Sequence, residues 1–158
     1  MRRWLVAVLG TAALVAGCGD DDSGSTGDPL TKSEYIAKAD GICREVNTAT
    51  KPFEDRLDAL NEDSDVEELA PILKGGLAEE RKGRERLREL AAPSEDKATL
   101  DAYFVTADKT LELGAALQQA AAASDEAKVK QLVDDNEDLD PEQKHLARKY
   151  GFRFCAIN

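Results

Sequence analysis

The sequence predicts an all-α fold, an up-down-up-down four-helix bundle over residues 31–158. Alanine accounts for 24 of the 158 residues, and together with leucine, Glu, Lys, Arg and Gln it gives a composition that favours helix. From residue 31 onward, apolar residues recur every three to four positions in four successive segments, as on one face of a helix. Short turns separate the segments, and helices joined by short turns pack as antiparallel neighbours.

Residues 1–17 are typical of a secretory signal. Two arginines precede an apolar run from Trp4 to Ala16, and small residues precede Cys18. As a helix, the apolar run would measure about 20 Å, which is too short to cross a hydrocarbon core about 30 Å thick. A transmembrane anchor is therefore the weaker interpretation.

Residues 14–18 (LVAGC) resemble the lipobox of bacterial lipoproteins. The resemblance implies that the thiol of Cys18 receives a diacylglyceryl group and that cleavage leaves Cys18 as the new N-terminus. Two or more acyl chains hold a protein on a membrane. The sequence thus predicts a lipid-anchored protein on the extracytoplasmic side of the cell membrane, with residues 18–30 as a flexible acidic, Gly- and Ser-rich linker.

The charge of the chain excludes one class of partner. Residues 1–17 contain two arginines and no acidic residue, so the remaining chain carries a formal charge of −13. This charge repels nucleic acid and anionic lipid head groups, so no nucleic-acid partner is expected. The same cut removes Trp4, the only tryptophan. We expect a thin core of leucine and alanine rather than of aromatic residues.

Helix one is predicted to begin at a capping box formed by Thr31 and Glu34. Its apolar stripe keeps its phase across Pro52, which predicts one long helix. Because Pro52 cannot bond the carbonyl of Thr48, we expect a kink there. The stripe consists of Ile36, Ala39, Cys43, Val46, Phe53, Leu57 and Leu60.

A second capping box, Ser64 with Glu67, is predicted to open helix two, which ends before Pro93. Ser94 is predicted to cap helix three. The stripe of helix two includes Val66, Leu69, Leu73, Leu77, Leu87 and Leu90, and that of helix three includes Leu100, Tyr103, Phe104, Ala107, Leu111, Gly114 and Leu117.

Residues 124–126 are predicted to open helix four. Its stripe is Val129, Leu132, Val133, Leu139, Leu146 and Tyr150. Asn136 and Gln143 fall on the same stripe, and Pro141 is predicted to interrupt it. Gly151 is suited to the left-handed position that ends a helix, with Phe152 packing back over the helix end.

Cys43 and Cys155 are the cysteines that remain once Cys18 carries lipid. An exported compartment favours disulfides, and two thiols allow only one intramolecular bond. A pair of buried free cysteines is the alternative. In an up-down-up-down bundle helix four ends beside the start of helix one, so the chain after Gly151 can fold back to meet Cys43.

Residues 39–43 (ADGIC) and 150–155 (YGFRFC) resemble a group of small lipoproteins of unknown function from high-GC Gram-positive bacteria. Those chains combine a lipobox, a polar tether, Ala-rich helices, an early D-x-I-C motif and a late Y-G-F/L-x-x-C motif. The resemblance implies a helical domain in which Cys43 is joined to Cys155, and it implies no activity. The acid-rich run before Pro141 departs from the Ala-rich last helix of the group.

Neither a metal site, nor a cofactor, nor a catalytic centre is expected. His145 is the only histidine, whereas zinc and copper sites usually need several His or Cys ligands. The acidic run at 134–140 does not fit a calcium loop, because Leu139 stands where the turn needs glycine and His145 where the bidentate glutamate should be. Weak divalent binding is the alternative to a solvated acidic face.

Residues 81–88 (RKGRERLR) form a basic island in an acidic chain. Glutamates are interleaved with it at helical spacing, so we expect the basic residues to pair mainly along helix two. Docking of an anionic partner or envelope polymer is the alternative. The interleaved glutamates are Glu79, Glu80, Glu85 and Glu89.

Three functional classes remain. The favoured one is a non-catalytic interaction or structural module of the cell envelope, tethered through lipid on Cys18, with an envelope protein or polymer as partner. The alternative is a binder of a small apolar or amphiphilic ligand, for which an undersized core would leave an apolar pocket between helices two and three. An enzyme has the least support, because it would need a cluster of perturbed carboxylates in a cleft.

Overall fold

Four α-helices form the described part of the protein, which confirms the all-α prediction. The computed structural model describes residues 28–61 and 64–157, apart from the side chains of residues 137 and 138, and within these ranges it contains no strand. The predicted signal peptide, Cys18 and most of the linker lie outside the described residues. No helix within these ranges is both long and apolar enough to cross a membrane. The helices are α1 (Lys32–Asp58), α2 (Leu69–Glu89), α3 (Lys97–Ala122) and α4 (Glu126–Tyr150).

α1 begins at the predicted capping box. The Thr31 hydroxyl accepts the backbone N–H of Glu34 at 3.4 Å, and the Glu34 carboxylate accepts the backbone N–H of Thr31 at 2.9 Å. The box satisfies two N–H groups that have no partner within the helix. α1 then runs through Pro52 as a single helix, as predicted.

The starts of α2 and α3 differ from the prediction. A single 3₁₀ turn precedes each helix, Val66–Glu68 before α2 and Ser94–Asp96 before α3. Ser64 instead accepts the backbone N–H of Asn61 at 3.1 Å, and the Glu67 carboxylate accepts a hydrogen bond from the Ser124 hydroxyl. The capping roles predicted for Ser64 and Ser94 are therefore wrong, because backbone bonds three residues apart form these turns.

α4 continues through Pro141, so the interruption predicted there is wrong. Pro141 is exposed, which leaves the carbonyl that loses its N–H partner on the side where water can reach it. Asn136 and Val133 are exposed as well, contrary to their predicted place on the buried stripe. Of the two polar residues assigned to that stripe, only Gln143 is partly buried.

α4 ends as predicted. Gly151 takes the left-handed conformation, with φ at 114°. Its N–H donates to the Arg148 carbonyl at 3.1 Å, and the N–H of Phe152 donates to the Ala147 carbonyl at 3.0 Å. These two bonds form a Schellman motif, and the buried Phe152 ring packs against the bundle beyond it.

Contacts between helix ends confirm the up-down-up-down order. The backbone N–H of Leu30, before α1, donates to the carbonyl of Ala91, after α2, at 3.0 Å. The ring of Tyr35 near the start of α1 meets that of Tyr150 at the end of α4, with centroids 6.1 Å apart. α2 packs between α1 and α3, and α3 packs against α4.

The core consists of two clusters of different composition. In the larger, all three tyrosines pack with Phe104 and Phe152, and the rings of Tyr150 and Phe152 lie 4.8 Å apart. The expectation of a core without aromatic residues is wrong here, because the few aromatic residues gather at one end. The smaller cluster has the predicted aliphatic composition: Ala70, Ala120, Ala121, Val129 and Leu132.

α1 and α2 approach each other closely at Gly83, which is buried. A Cβ added to Gly83 would overlap the Cγ2 of Val46 on α1. Valine in a helix has one strongly preferred rotamer, so Val46 has little freedom to turn away. The packing of these two helices therefore requires glycine at this position.

Replacing Gly83 with alanine is expected to destabilise the protein. Overpacking costs about 1–3 kcal/mol, which exceeds the ~1 kcal/mol that alanine gains over glycine in helix propensity. Gly41 is the matched control, because it also lies inside a helix and its added Cβ would meet nothing within 4 Å. Urea unfolding should show a lower free energy of unfolding for Gly83→Ala and a higher one for Gly41→Ala. Equal stability of the two variants would contradict the close approach.

Candidate functional site

A polar cluster lies inside the bundle between α2, α3 and α4. It comprises Glu80 and Arg84 from α2, Tyr103 from α3 and Gln143 from α4, all of which line one small cavity. Glu80 and Arg84 lie one helical turn apart and so share a face of α2. We refer to these four side chains as the polar cluster.

Arg84 ties α2 to α3. Its Nη1 donates to the Asp108 carboxylate at 3.0 Å and to the backbone carbonyl of Phe104 at 3.3 Å. The guanidinium also lies over the rings of Tyr103 and Phe104, 5.9 and 5.7 Å from their centroids. Burial lowers the pKa of Arg84, whereas Tyr103 and Asp108 act to raise it. Because guanidinium stays protonated in proteins, Arg84 is a buried cation with a fixed partner on α3.

Glu80 is the acidic member of the polar cluster. Burial raises the pKa of its carboxyl group, Arg84 opposes this, and Glu54 of α1 adds to the increase. The nearest cation thus compensates for only part of the cost of burial, because the guanidinium of Arg84 bonds to Asp108. Within residues 28–61 and 64–157, no hydrogen-bond donor reaches the Glu80 carboxylate.

Tyr103 and Gln143 join α3 to α4. Burial raises the pKa of the Tyr103 hydroxyl, and a hydrogen bond with the Gln143 side chain acts to lower it. Gln143 therefore has a polar partner inside the bundle, which explains how a glutamine can lie on an otherwise apolar stripe.

Two cavities adjoin the polar cluster. The smaller, about 40 Å³, lies between the cluster and the two cysteines. The larger, about 170 Å³, lies between α2, α3 and α4, and we call it the inner cleft. A pocket was expected between helices two and three, but this one is not purely apolar. Its walls are Leu77, Ala107, Thr110, Leu111 and Asp140, together with Glu80, Arg84 and Gln143.

The two cysteines lie on the α1 side of the polar cluster. The sulfur atoms of Cys43 and Cys155 are at disulfide distance, with their Cα atoms 5.1 Å apart. Both residues are buried. The chain after Gly151 folds back onto α1, as the sequence predicts.

Asp40 holds this returning chain in place. Its carboxylate accepts the backbone N–H of Arg153 at 3.0 Å and that of Phe154 at 2.9 Å. The Asn47 amide donates to the carbonyl of Phe154 at 3.2 Å. Asp40 is only 7% exposed, so these bonds satisfy a carboxylate that burial would otherwise destabilise. Sequence reasoning missed this role because the partners lie more than a hundred residues away.

The other residues singled out from the sequence lie on the surface or outside the described ranges. His145 is exposed on α4. The acidic run at 134–140 belongs to the same helix rather than to a loop that could wrap a calcium ion. Among the described residues, no group of three or more His, Cys, Asp or Glu side chains is arranged to hold a metal ion. Cys18 lies outside the described part of the chain.

The basic island at residues 81–88 pairs mainly across helices. Three of its four arginines, Arg84, Arg86 and Arg88, pair with residues of α1 or α3, so their charges bridge helices rather than follow α2. The expectation of pairing mainly along helix two is therefore wrong for these arginines. Besides Arg84–Asp108, the ion pairs are Arg86–Glu45 to α1, Arg88–Asp108 to α3 and Lys82–Glu79 within α2.

Comparison with known proteins gives no match. No protein-family model matches the chain, and neither a curated protein nor a solved structure matches it.

Proposed function

We propose that this chain is a lipoprotein anchored on the extracytoplasmic side of the cell membrane, and that its bundle is a non-catalytic interaction or structural module of the cell envelope. The observation that carries the proposal is the pair of buried cysteines at disulfide distance. Cytosolic proteins keep their thiols reduced, whereas such a pair forms and persists in an oxidising, exported compartment. The lipobox-like segment at residues 14–18 supplies the route to that compartment and the anchor.

The buried charged groups support a structural role for the bundle. Arg84 bonds to Asp108 and to a backbone carbonyl of α3, and Asp40 accepts backbone N–H groups of the returning chain. Each of these groups therefore fixes one element against another. Catalysis instead needs a nucleophile or an acid with a positioned partner facing substrate.

The surface charge favours a cationic partner. Without residues 1–17 the chain carries a formal charge of −13. Asp134, Asp135 and Glu142 are exposed on α4, while three of the four arginines of the basic island bridge helices. Complementary charge steers association, so a basic protein or polymer of the envelope is the partner that this surface attracts.

Replacing Cys18 with alanine is expected to abolish lipid attachment, because the acceptor thiol is lost. Mass spectrometry of the wild-type protein extracted from membranes should show an acylated Cys18 as its first residue. The Cys18→Ala variant should carry no acyl mass. Ser23→Ala, in the same linker, is the matched control and should be acylated like the wild type. A wild-type chain that begins elsewhere and carries no lipid would overturn the proposal.

A further inference from the structure

We propose that the inner cleft binds a small organic ammonium ion, with the carboxylate of Glu80 as its charged anchor. This inference goes beyond the proposed function, since a lipid anchor needs no ligand in the bundle. The two proposals therefore fail independently.

Two carboxylates, those of Glu80 and Asp140, line the cleft, whereas the wall contains one guanidinium, that of Arg84. Asp140 pairs with Lys144 at 2.8 Å. Arg84 lines the cleft, but its guanidinium bonds to Asp108 on α3. Glu80 is partly buried, and Arg84 opposes only part of the increase that burial causes in the pKa of its carboxyl group. The cleft walls already exclude part of the water around this carboxylate, so an ammonium ion entering the cleft would meet a charged acceptor that is only partly hydrated.

The polar groups on the wall suit the three donors of an ammonium ion. Glu80, Asp140 and the Gln143 amide all present oxygen acceptors. The Thr110 hydroxyl donates its proton to the Thr106 carbonyl at 3.3 Å, so its oxygen is also an acceptor. An anion would instead meet two carboxylates, with the one guanidinium already bonded.

The size and the apolar wall limit the rest of the ligand. An apolar cavity of about 150 Å³ holds benzene, so the inner cleft, at about 170 Å³, fits a group no larger than a small ring or a short alkyl chain. Leu77, Ala107 and Leu111 form the apolar side and would contact that group. The ligand class is therefore a small amine with one compact apolar substituent.

Because the proposed ligand is a cation, its affinity for the cleft should depend on whether the Glu80 carboxyl group is ionised. The groups that face its carboxyl are Glu54 from α1, Arg84 from α2, Tyr103 from α3, and Asp140 and Gln143 from α4. Because burial raises the pKa of Glu80, its carboxyl is protonated at a higher pH than that of an exposed glutamate. Affinity for the ammonium ion should accordingly fall on acidification before exposed glutamates lose their charge.

The test uses the full-length protein in detergent and three probes that share one ring. Benzylammonium, benzyl alcohol and benzoate are titrated at about pH 8, where the first is a cation and the last an anion. The methyl resonances of Leu77 and Leu111 report occupancy of the cleft. We expect saturable shifts with benzylammonium, and binding about tenfold to a hundredfold weaker with the other two probes. This comparison needs no variant.

A pair of variants then locates the anchor. Glu80→Gln keeps the shape of the side chain and should weaken benzylammonium binding about tenfold to a hundredfold. Glu79→Gln, the neighbouring residue that pairs with Lys82 outside the cleft, should leave it unchanged. Equal affinity for benzyl alcohol, full affinity in Glu80→Gln, or no saturable shift with benzylammonium would each overturn the proposal.

Discussion

Replacing Cys155 with serine is expected to bring the protein close to the limit of stability. Cys43 and Cys155 lie 112 residues apart in sequence. For a loop of that length the chain-entropy model assigns a disulfide about 4–5 kcal/mol, as an upper figure. Domains typically have a total free energy of unfolding of about 5–15 kcal/mol. Urea unfolding should therefore show a much lower midpoint for the variant.

Helix α4 and the chain that follows it should loosen first. Phe152, Cys155 and Ala156 pack in the aromatic cluster between α4 and α1, so they lose their anchor when the link is cut. α2 and α3 keep the Arg84–Asp108 pair. Hydrogen exchange resolved by segment should show protection lost over residues 129–157 before it is lost in α2 and α3.

The wild-type protein treated with reductant is the matched control, because it loses the link and keeps both sulfur atoms. It should exchange like Cys155→Ser. Unchanged protection from hydrogen exchange over residues 129–150 in both samples would show that the bundle stays folded without the bond between Cys43 and Cys155.

Two features with local causes were predicted correctly, although the caps expected at Ser64 and Ser94 were not observed. The Thr31–Glu34 capping box and the end of α4 at Gly151 depend on residues within one or two turns of each other. The order of the helices follows from the short turns between them. In each case the interacting groups are neighbours in sequence, so the spacing of residue types carries the information.

Features that depend on packing were not predicted. Pro141 was expected to interrupt the stripe of helix four, but it lies on the exposed side of α4, and the helix continues through it. The aromatic core was missed because the composition shows how few aromatic residues there are but not that they pack together in the fold. Asp40 and Arg84 bond to distant elements, and no local pattern marks either partner.

The candidate site was missed for the same reason. Four glutamates accompany the basic island in the sequence, and nothing there distinguishes Glu80 from the others. Only the tertiary structure places this one on the wall of the inner cleft. The sequence predicts a charged helix, and the tertiary structure decides which of its charged side chains lines a cavity.

Raising the pH above about 10 is expected to unfold the protein in one steep transition, with its three tyrosines ionising together. Burial raises the pKa of Tyr35 to about 12 and also raises the pKa values of Tyr103 and Tyr150. For Tyr150 the hydrogen bond that its hydroxyl donates to the Asp96 carboxylate, at 3.0 Å, adds to the increase. An unfolded tyrosine has a pKa of about 10.

The sign of the pH dependence follows from these directions. A group whose pKa is higher in the folded state stabilises the fold fully below its unfolded pKa, and this stability is lost as the pH rises toward the folded value. Tyr35 then accounts for a loss of about 1.4 kcal/mol per pH unit between about pH 10 and 12, and Tyr103 and Tyr150 add to this loss in the same direction. Raising the solution pH about one to two units above 10 should therefore remove an appreciable part of the roughly 5–15 kcal/mol that is typical for the free energy of unfolding of a domain.

Two signals followed together test this expectation. Phenolate absorbance and far-ultraviolet circular dichroism should change in the same narrow pH interval, because the buried hydroxyls ionise only when the helices come apart. Tyr35→Phe keeps the ring in the core and removes one ionising group, so it should reduce the slope of stability against pH by about 1.4 kcal/mol per pH unit between about pH 10 and 12. Phenolate absorbance that rises gradually near pH 10 while the helical signal stays intact would show that the tyrosines ionise within the folded bundle.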